Sequence, residues 1–397
     1  MITFFNILQS ILFLLTMCGT IYLLVFAIAG IIYRPVKFPH SDKFQKFAVF
    51  IPGYKEDNVI VDVARKALEQ DYPQDCYDII VIADGFKKGT IEKLKKLPII
   101  VNEVIFEKSS KAKSLNKTME TLSDEYEVAL VLDADNIMAS DFISKMNQAY
   151  NNGNIAIQGH RLAKNSNTHF AILDALSEEI NNNIFRRGHR KLGLSAALIG
   201  SGMAFNYQIY KTFMSQIESF GEDKELEHKL LKSNINIEYL DNALVYDEKT
   251  TKSQVFVTQR TRWIANQLNY ATKYLGEGFK ELFKGNIDYF DKIVQHLIPP
   301  RIFILGLLSI IIMFSLIFNP LNWSYAWIIQ WIMCVTALFI SVPRQLFTFK
   351  TLNALLYLPF GFFLMLISLS RINHARKGFV HTAHSYNEND THNLKNQ

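Results

Sequence analysis

Three stretches of this 397-residue chain contain no Asp, Glu, Lys or Arg, and they limit what it can fold into more than any other feature. The first is Met1–Tyr33. As a helix rising about 1.5 Å per residue it would reach about 50 Å, against a hydrocarbon core of roughly 30 Å, so one tilted or overhanging span is expected. A cleaved signal peptide needs a basic start and a shorter apolar run, whereas this segment opens Met1-Ile2-Thr3-Phe4 and reads as a retained anchor. The second stretch, Ile302–Pro343, is divided by the turn signal Asn319-Pro320-Leu321-Asn322 into two arms of near-spanning length, a membrane hairpin. The third, Thr351–Ser370, makes a further candidate span, with Pro359 and Gly361 in its middle able to kink it or turn it back. Residues 301–370 are therefore expected to hold about three membrane segments. Before them, 279–300 sets Phe279, Leu282, Phe283, Phe290, Ile293, Val294 and Leu297 at helical intervals among charged residues, the pattern of an amphipathic interfacial helix.

The remaining sequence is of another kind. With 49% hydrophobic, 13% aromatic and 20% charged positions the chain is too apolar to be disordered and too charged to be mostly embedded. Three cysteines exclude a disulfide scaffold, and Cys18 and Cys334 lie in apolar segments. Lys plus Arg (42) exceeds Asp plus Glu (37) by only five, which gives no reason to propose nucleic-acid binding and fits anionic headgroups or phosphates. Arg34, Lys37, Lys43 and Lys46 follow the first span and no basic residue precedes it, so the positive-inside rule puts the section from residue 34 in the cytosol. Three more spans would leave the polar tail, 371–397, outside, whereas Arg371, Arg376 and Lys377 argue for inside.

Within 34–278, Phe47–Pro52, Ile79–Ala83 and Ala129–Leu132 read as short buried parallel strands, with helical spacing over Val59–Gln70 and Lys111–Leu122 between them. The expected architecture is an open α/β sheet whose ligand site lies beyond the carboxyl ends of its strands. Those ends are acidic: Lys55-Glu56-Asp57, Asp84, and Asp133-Ala134-Asp135. Two carboxylates one residue apart can reach a divalent cation and its phosphate ligands, or can simply cap a turn; three acidic tips on one sheet edge favour the former.

Seven motifs then appear in a fixed order: Ile51-Pro52-Gly53-Tyr54-Lys55-Glu56, Ala83-Asp84-Gly85, Lys113-Ser114-Leu115-Asn116, Asp133-Ala134-Asp135, Gly200-Ser201-Gly202-Met203-Ala204, Gly221-Glu222-Asp223 and Gln259-Arg260-Thr261-Arg262-Trp263. In this the chain resembles membrane-anchored family-2 glycosyltransferases of the GT-A fold, in particular bacterial polysaccharide synthases of the poly-N-acetylglucosamine, hyaluronan, chitin and cellulose type. The resemblance implies a nucleotide-sugar donor, often UDP-linked, held near Pro52, Tyr54, Glu56, Asp84, Lys113, Asp133 and Arg262. It implies Mg2+ or Mn2+ at Asp135 with Asp133 close by, Asp223 as catalytic base supported by Glu222, and an acceptor site formed by Gly200, Ser201, Gly202, Gln259 and Trp263. Each assignment has a plainer counterpart: Lys113 as a solvated helix lysine, Asp223 as N-cap of a helix Lys224–Lys232, Gly200-Ser201-Gly202 as a tight turn, and Trp263 as an aromatic-arginine packing pair.

Two departures from the family pattern bear on the donor: Lys55 stands where Asn is usual, and Ala83-Asp84-Gly85-Phe86 lacks a second acid. His381 and His384 in the tail are candidates for metal or diphosphate contact or solvated residues, and Arg186–Lys191 for headgroup contact or an exposed basic loop. The expectation is an inverting transferase of the cell inner membrane, multi-pass with a cytosolic catalytic domain, that extends a growing polysaccharide or lipid-linked glycan. The alternatives are a single-addition transferase on a lipid-linked saccharide and an inactive assembly subunit. Export or assembly partners are not identified by the sequence.

Overall fold

The computed structural model describes residues 2–217, 221–250, 253–318 and 323–372. They divide into two compact units, one of residues 34–166 and 194–249, the other of 2–33, 167–193 and 250–372. In this grouping 167–193 and 250–278 fall with the apolar helices.

The first unit is built on one eight-stranded sheet of β1 (Phe47–Tyr54), β2 (Tyr77–Asp84), β3 (Ile100–Val104), β4 (Val128–Val131), β5 (Ile137–Met138), β6 (Ala156–Ala163), β7 (Met203–Asn206) and β8 (Glu238–Asp247), in the order β3-β2-β1-β4-β7-β6-β8-β5. The first four are parallel, and three of them, β1, β2 and β4, are the expected strands; β3 is additional. Phe47, Val49 and Ile51 bury one face of β1 against Ile60, Val63 and Ala67 of the helix Ile60–Ala67, and Ala48 and Phe50 are buried on the other. A strand covered on both faces needs an unbroken apolar run, which is why these strands were legible. The other half is mixed: β7 runs antiparallel to β4 and β6, and β8 is parallel to β6 but antiparallel to β5.

Pro52 marks where the sheet opens. The Phe50 carbonyl accepts from Leu132 N at 2.9 Å, so Phe50 faces β4, and Pro52, two residues on, faces the same way past the end of β4 at Val131. Its missing N–H costs no ladder bond there. β1 and β4 part at this point, and the crevice between them carries the acidic tips.

In the second unit, helix Ile2–Ile31 is joined to the segment around residue 189 and to helix Ile287–Leu297 by a buried network. The Tyr22 hydroxyl donates to Asp291 Oδ1 at 2.7 Å, His189 Nε2 lies 3.1 Å from Asp291 Oδ2, and the Phe26 ring stacks on His189. The expected basic loop Arg186–Lys191 is instead helical: a π-helical turn, Asn182–Gly188, runs into His189–Lys191, and Arg186 is 2% exposed. Paired with Glu178 and Asn182, its guanidinium is buried by its own helix rather than offered outward.

By length and composition Ile7–Ile31 can cross a membrane. Counting the bent pairs Ile287–Leu297 with Arg301–Ile317 (53°) and Phe349–Leu355 with Leu358–Ser370 (48°) as single spans raises the number to three among the described residues. The second bend lies just before Pro359, as its position led one to expect. Ser324–Ile340, the other arm of the expected hairpin, is a shorter apolar helix, and the turn at 319–322 lies outside the described residues, as do His381 and His384. The helix expected over 279–300 is two pieces. Gly285, at φ +88°, ends Ser253–Phe283, and Asn286 starts Ile287–Leu297 by accepting from Tyr289 N at 3.0 Å.

Candidate active site

The tips of β1 and β2 lie side by side, Tyr54 opposite Asp84, and Lys55 N donates to the Asp84 carbonyl at 3.0 Å. Asp84 is 4% exposed, and burial raises its carboxyl pKa against the opposing effects of Ser109, Ser114 and Lys55. Glu56 is buried as well. Asp57, the remaining acid of that tip, is used in local structure, accepting from Lys87 N and from the Thr90 hydroxyl. The Lys55 ammonium stands 5.0 Å over the Tyr54 ring.

Lys55 adopts φ +56°, a left-handed conformation that Asn tolerates and a long side chain pays for by about 1 kcal/mol. The Asn usual at this position in the resembled family therefore has a backbone reason. Lys55→Asn is expected to raise stability by about 0.5–1 kcal/mol, read as a higher midpoint of thermal unfolding in detergent.

After β4, Asp133 and Asp135 sit on a loop fastened from below. Asp133 N donates to Ser201 Oγ at 3.0 Å, and that hydroxyl donates to Asn136 Oδ1 at 2.5 Å. Asn136 Nδ2 reaches Asp135 Oδ1 at 2.9 Å and Asp247 Oδ1 at 3.0 Å. Ser201, expected at the acceptor, is therefore a fully buried staple with its hydroxyl engaged as both donor and acceptor. Gln158 holds the same loop through the Ser201 carbonyl and Ile199 N. Gly200 and Gly202 have φ of +83° and +62°, the reason for glycine at both.

The centre of the site is a residue that the sequence motifs passed over. Lys111 Nζ lies 2.6 Å from Asp133 Oδ1, 2.5 Å from the Gly200 carbonyl and 3.4 Å from Glu222 Oε1. Burial opposes its charge, yet Asp133, Glu222 and Asp223 outweigh that and hold its pKa above the usual lysine value. Lys113, expected near the donor diphosphate, is exposed and donates to the Lys108 carbonyl at 3.3 Å. A signal was available. In the helix Lys111–Thr121, Lys113, Lys117 and Glu120 form the solvent stripe, while Lys111 lines up with the buried Ser114, Leu115 and Thr118.

Glu222 and Asp223 open the helix Glu222–Lys232, with Gly221 rather than Asp223 in the N-cap position. Asp223 faces the Gly200–Gly202 loop: a Cβ placed on Gly200 would come 3.7 Å from Asp223 Oδ2 and 3.8 Å from Lys111 Nζ. Glycine there keeps the space open. Burial raises the Asp223 pKa, with Glu227 adding to it and Lys224 and Lys111 opposing. Burial pushes Glu222 up to about 7, opposed by Lys111 and reinforced by Asp223. Lys224 and Glu227 both bond Leu198, tying this helix to the glycine loop.

Glu222 thus links fold stability to pH. Its folded pKa of about 7 exceeds the unfolded value of about 4.3, so between those limits the folded state holds the extra proton and stability falls as pH rises, levelling off above 7. Glu222→Gln is expected to flatten this decline in unfolding temperature between pH 5 and 7.5. An unchanged slope would assign it to another group.

The metal test is one of donor chemistry. Among the described residues no three His, Cys, Asp or Glu side chains are gathered to cage an ion. Asp133 and Asp135 offer two carboxylates beside a crevice, a set that fits a hard cation taking its other oxygens from a diphosphate and water. Gln259, Arg262 and Trp263 lie on the helix Ser253–Phe283 of the other unit. There Gln259 Oε1 accepts from the Thr250 hydroxyl at 2.9 Å, and Trp263, 42% exposed, packs under the Arg260 guanidinium at 4.5 Å. The aromatic-arginine pair is real, with Arg260 as the partner.

Two solved structures are similar to this chain, and the first agrees with this fold. The mannosyltransferase PcManGT from Pyrobaculum calidifontis, solved with GDP-Man and Mn2+, superposes with a TM-score of 0.53 at 15% identity, over 84% of this chain and 99% of its own. TarS from S. aureus gives a TM-score of 0.38 at 15% identity, over 84% of this chain and 55% of its own. No curated protein matches the sequence. The sheet, with its mixed half and acidic crevice, is a Rossmann-like GT-A fold. A sequence model described as "Glycosyltransferase like family 2" covers residues 45–266, more than half of the chain, and the protein belongs to that family of glycosyltransferases.

Proposed function

We propose that the protein is an inverting glycosyltransferase that moves a sugar from a nucleotide-sugar donor, UDP-linked by the family resemblance, to a growing polysaccharide or lipid-linked glycan. It works at the cytosolic face of the cell inner membrane that its apolar helices enter. One observation carries this reading: the Lys111 ammonium ties Asp133 of the donor-side loop to Gly200 of the acceptor-side loop and to Glu222, next to Asp223.

In the reaction the acceptor hydroxyl oxygen bonds to the anomeric carbon as the bond from that carbon to the diphosphate oxygen breaks. The hydroxyl proton passes to Asp223 and the nucleoside diphosphate leaves with the bonding pair. Burial makes Asp223 a stronger base than a solvated carboxylate. Glu222 shapes the charge around that base, and the open space at Gly200 admits the acceptor. Tyr54, Glu56 and Asp84 line the crevice end assigned to the nucleoside, with Pro52 opening it. Asp133 and Asp135 would hold Mg2+ or Mn2+, which when bound supplies positive charge to the departing diphosphate. The roles of Gln259, Arg262 and Trp263 rest on the motif alone.

The test is incubation of membranes containing the protein with a panel of labelled nucleotide sugars and Mg2+ or Mn2+, with products sized. Long chains mark a polymerase, and single additions to added lipid-linked saccharide mark the narrower transferase. No transfer from any donor, with or without acceptor, overturns the enzyme reading in favour of an assembly subunit.

A further inference from the structure

The helical unit contains a second charged cluster, unrelated to the sheet. On the helix Ser253–Phe283, the Arg260 guanidinium lies between the Phe256 ring at 4.9 Å and the Trp263 ring at 4.5 Å, and its Nη2 donates to Asp174 Oδ1. Arg301, the first residue of the apolar helix Arg301–Phe318, donates through Nη2 to the Ser177 carbonyl and hydroxyl, each at 3.1 Å, and lies 5.9 Å from the Phe185 ring. The fields of Arg260, Glu178 and Arg186 all reach it. Two donors in this cluster are left over: Arg260 Nε and Arg301 Nη1 are buried without a hydrogen-bond partner.

The pairing is also incomplete in charge. Asp174 serves Arg260 and Glu178 serves Arg186, but both groups bonded to Arg301 are neutral, and no carboxylate pairs with it among the described residues. A largely enclosed guanidinium without a counter-charge and with an idle N–H is costly unless an anion completes it. Guanidinium forks match phosphate oxygens, and aromatic walls strengthen their field by excluding water.

We propose that Arg301 and Arg260 form a binding site for a phosphate group, supplied by the headgroup of an anionic membrane lipid. The membrane source follows from position. Arg301 stands at the very start of an 18-residue apolar helix with no other charge in it, so a phosphate bound there has acyl-chain surface directly beside it. The site bears on the proposed function because Arg260 stacks on Trp263, the residue whose acceptor role rests on the motif. It does not depend on transfer taking place.

The experiment uses the full chain, delipidated in an uncharged maltoside detergent, and counts bound molecules by native mass spectrometry. The probes are phosphatidic acid, diacylglycerol with the same acyl chains, and inorganic phosphate. One phosphatidic acid per chain is expected, with diacylglycerol binding at least about 10-fold more weakly and inorganic phosphate competing only at far higher concentration. Arg301→Gln and Arg260→Gln should each weaken phosphatidic acid about 10-fold or more. If Arg301→Gln does not fold, Arg301→Lys, which keeps the charge and loses the fork, should show a smaller loss in the same direction. Equal binding of diacylglycerol, or full affinity in folded variants, overturns the proposal, and inorganic phosphate binding as tightly as the lipid overturns the membrane source. Sugar transfer measured on the same samples separates the two readings: transfer without phosphate binding sinks only the site, and phosphate binding without transfer sinks only the enzyme.

Discussion

Asp223→Asn is expected to lower sugar transfer by about 10²–10⁴-fold, the range that a positioned general base contributes, while donor binding stays within a few-fold of the wild type. The substitution keeps the shape of the side chain and removes its basicity. It is also gentle to the fold. Asp223 lies in the first turn of the helix Glu222–Lys232, where losing a negative charge costs about 0.3–1 kcal/mol against the helix dipole. Removing its repulsion with Glu227 and Glu222 gives some of that back. Transfer of a labelled sugar and, separately, calorimetric binding of the nucleoside diphosphate check the two halves. Turnover within threefold of the wild type would show that Asp223 is not the base, and the neighbouring Glu222, with its pKa near 7, would then be the carboxylate to replace. A joint loss of binding and transfer would instead mark Asp223 as part of the donor pocket.

The half of the site made by the sheet was legible because its physics is local. β1, β2 and β4 are buried on both faces, so each reads as an unbroken apolar run, and the first polar residue after each run falls at the crevice. Asp84 and Asp133 stand at those positions, with Asp135 two residues on. Lys111 and Lys113 are two residues apart on one helix and so point to opposite sides of it, and the motif that begins at Lys113 does not say which side meets the sheet. The buried positions Ala112, Leu115 and Met119 do say so, once the pattern is followed along the whole helix. The structural bonds of Ser201 were hidden for a different reason. A serine between two glycines offers its hydroxyl to whatever is near, and what is near is Asn136 and the Asp133 amide, partners brought in by the antiparallel pairing of β7 with β4. That pairing follows from no run or period in four residues, and neither does the grouping of 167–193 with the apolar helices, since its helix carries Asp174, Glu178 and Glu179 and reads as soluble until Arg186 and Arg260 are seen to meet two of those acids.

Lys111→Met tests whether the centre of the site is held by charge. Methionine matches the length of the lysine stem but leaves Asp133, Glu222 and Asp223 facing one another without the ammonium that now lies among them. Removing one partner from a buried ion pair costs about 3–5 kcal/mol; the Lys111 side chain keeps 20% of its exposure, so a loss of about 2–4 kcal/mol is expected. The loss has a pH signature. Without Lys111, Glu222 and Asp223, already shifted upward by burial, gain protons at still higher pH, so their folded pKa values move further above the unfolded ones. Acids raised in this way leave the fold stable at low pH and weaken it as pH rises through their folded pKa, so the variant should lie closest to the wild type near pH 5 and furthest from it above pH 8. Adding Glu222→Gln removes one of the repelling charges and should recover part of the loss at pH 8 but little at pH 5, a coupling that a double-mutant cycle on unfolding temperatures resolves. A Lys111→Met protein equally stable at pH 5 and 8, or a cycle with no coupling at pH 8, would mean that packing of the lysine stem, not the ammonium, joins the Asp133 and Gly200 loops.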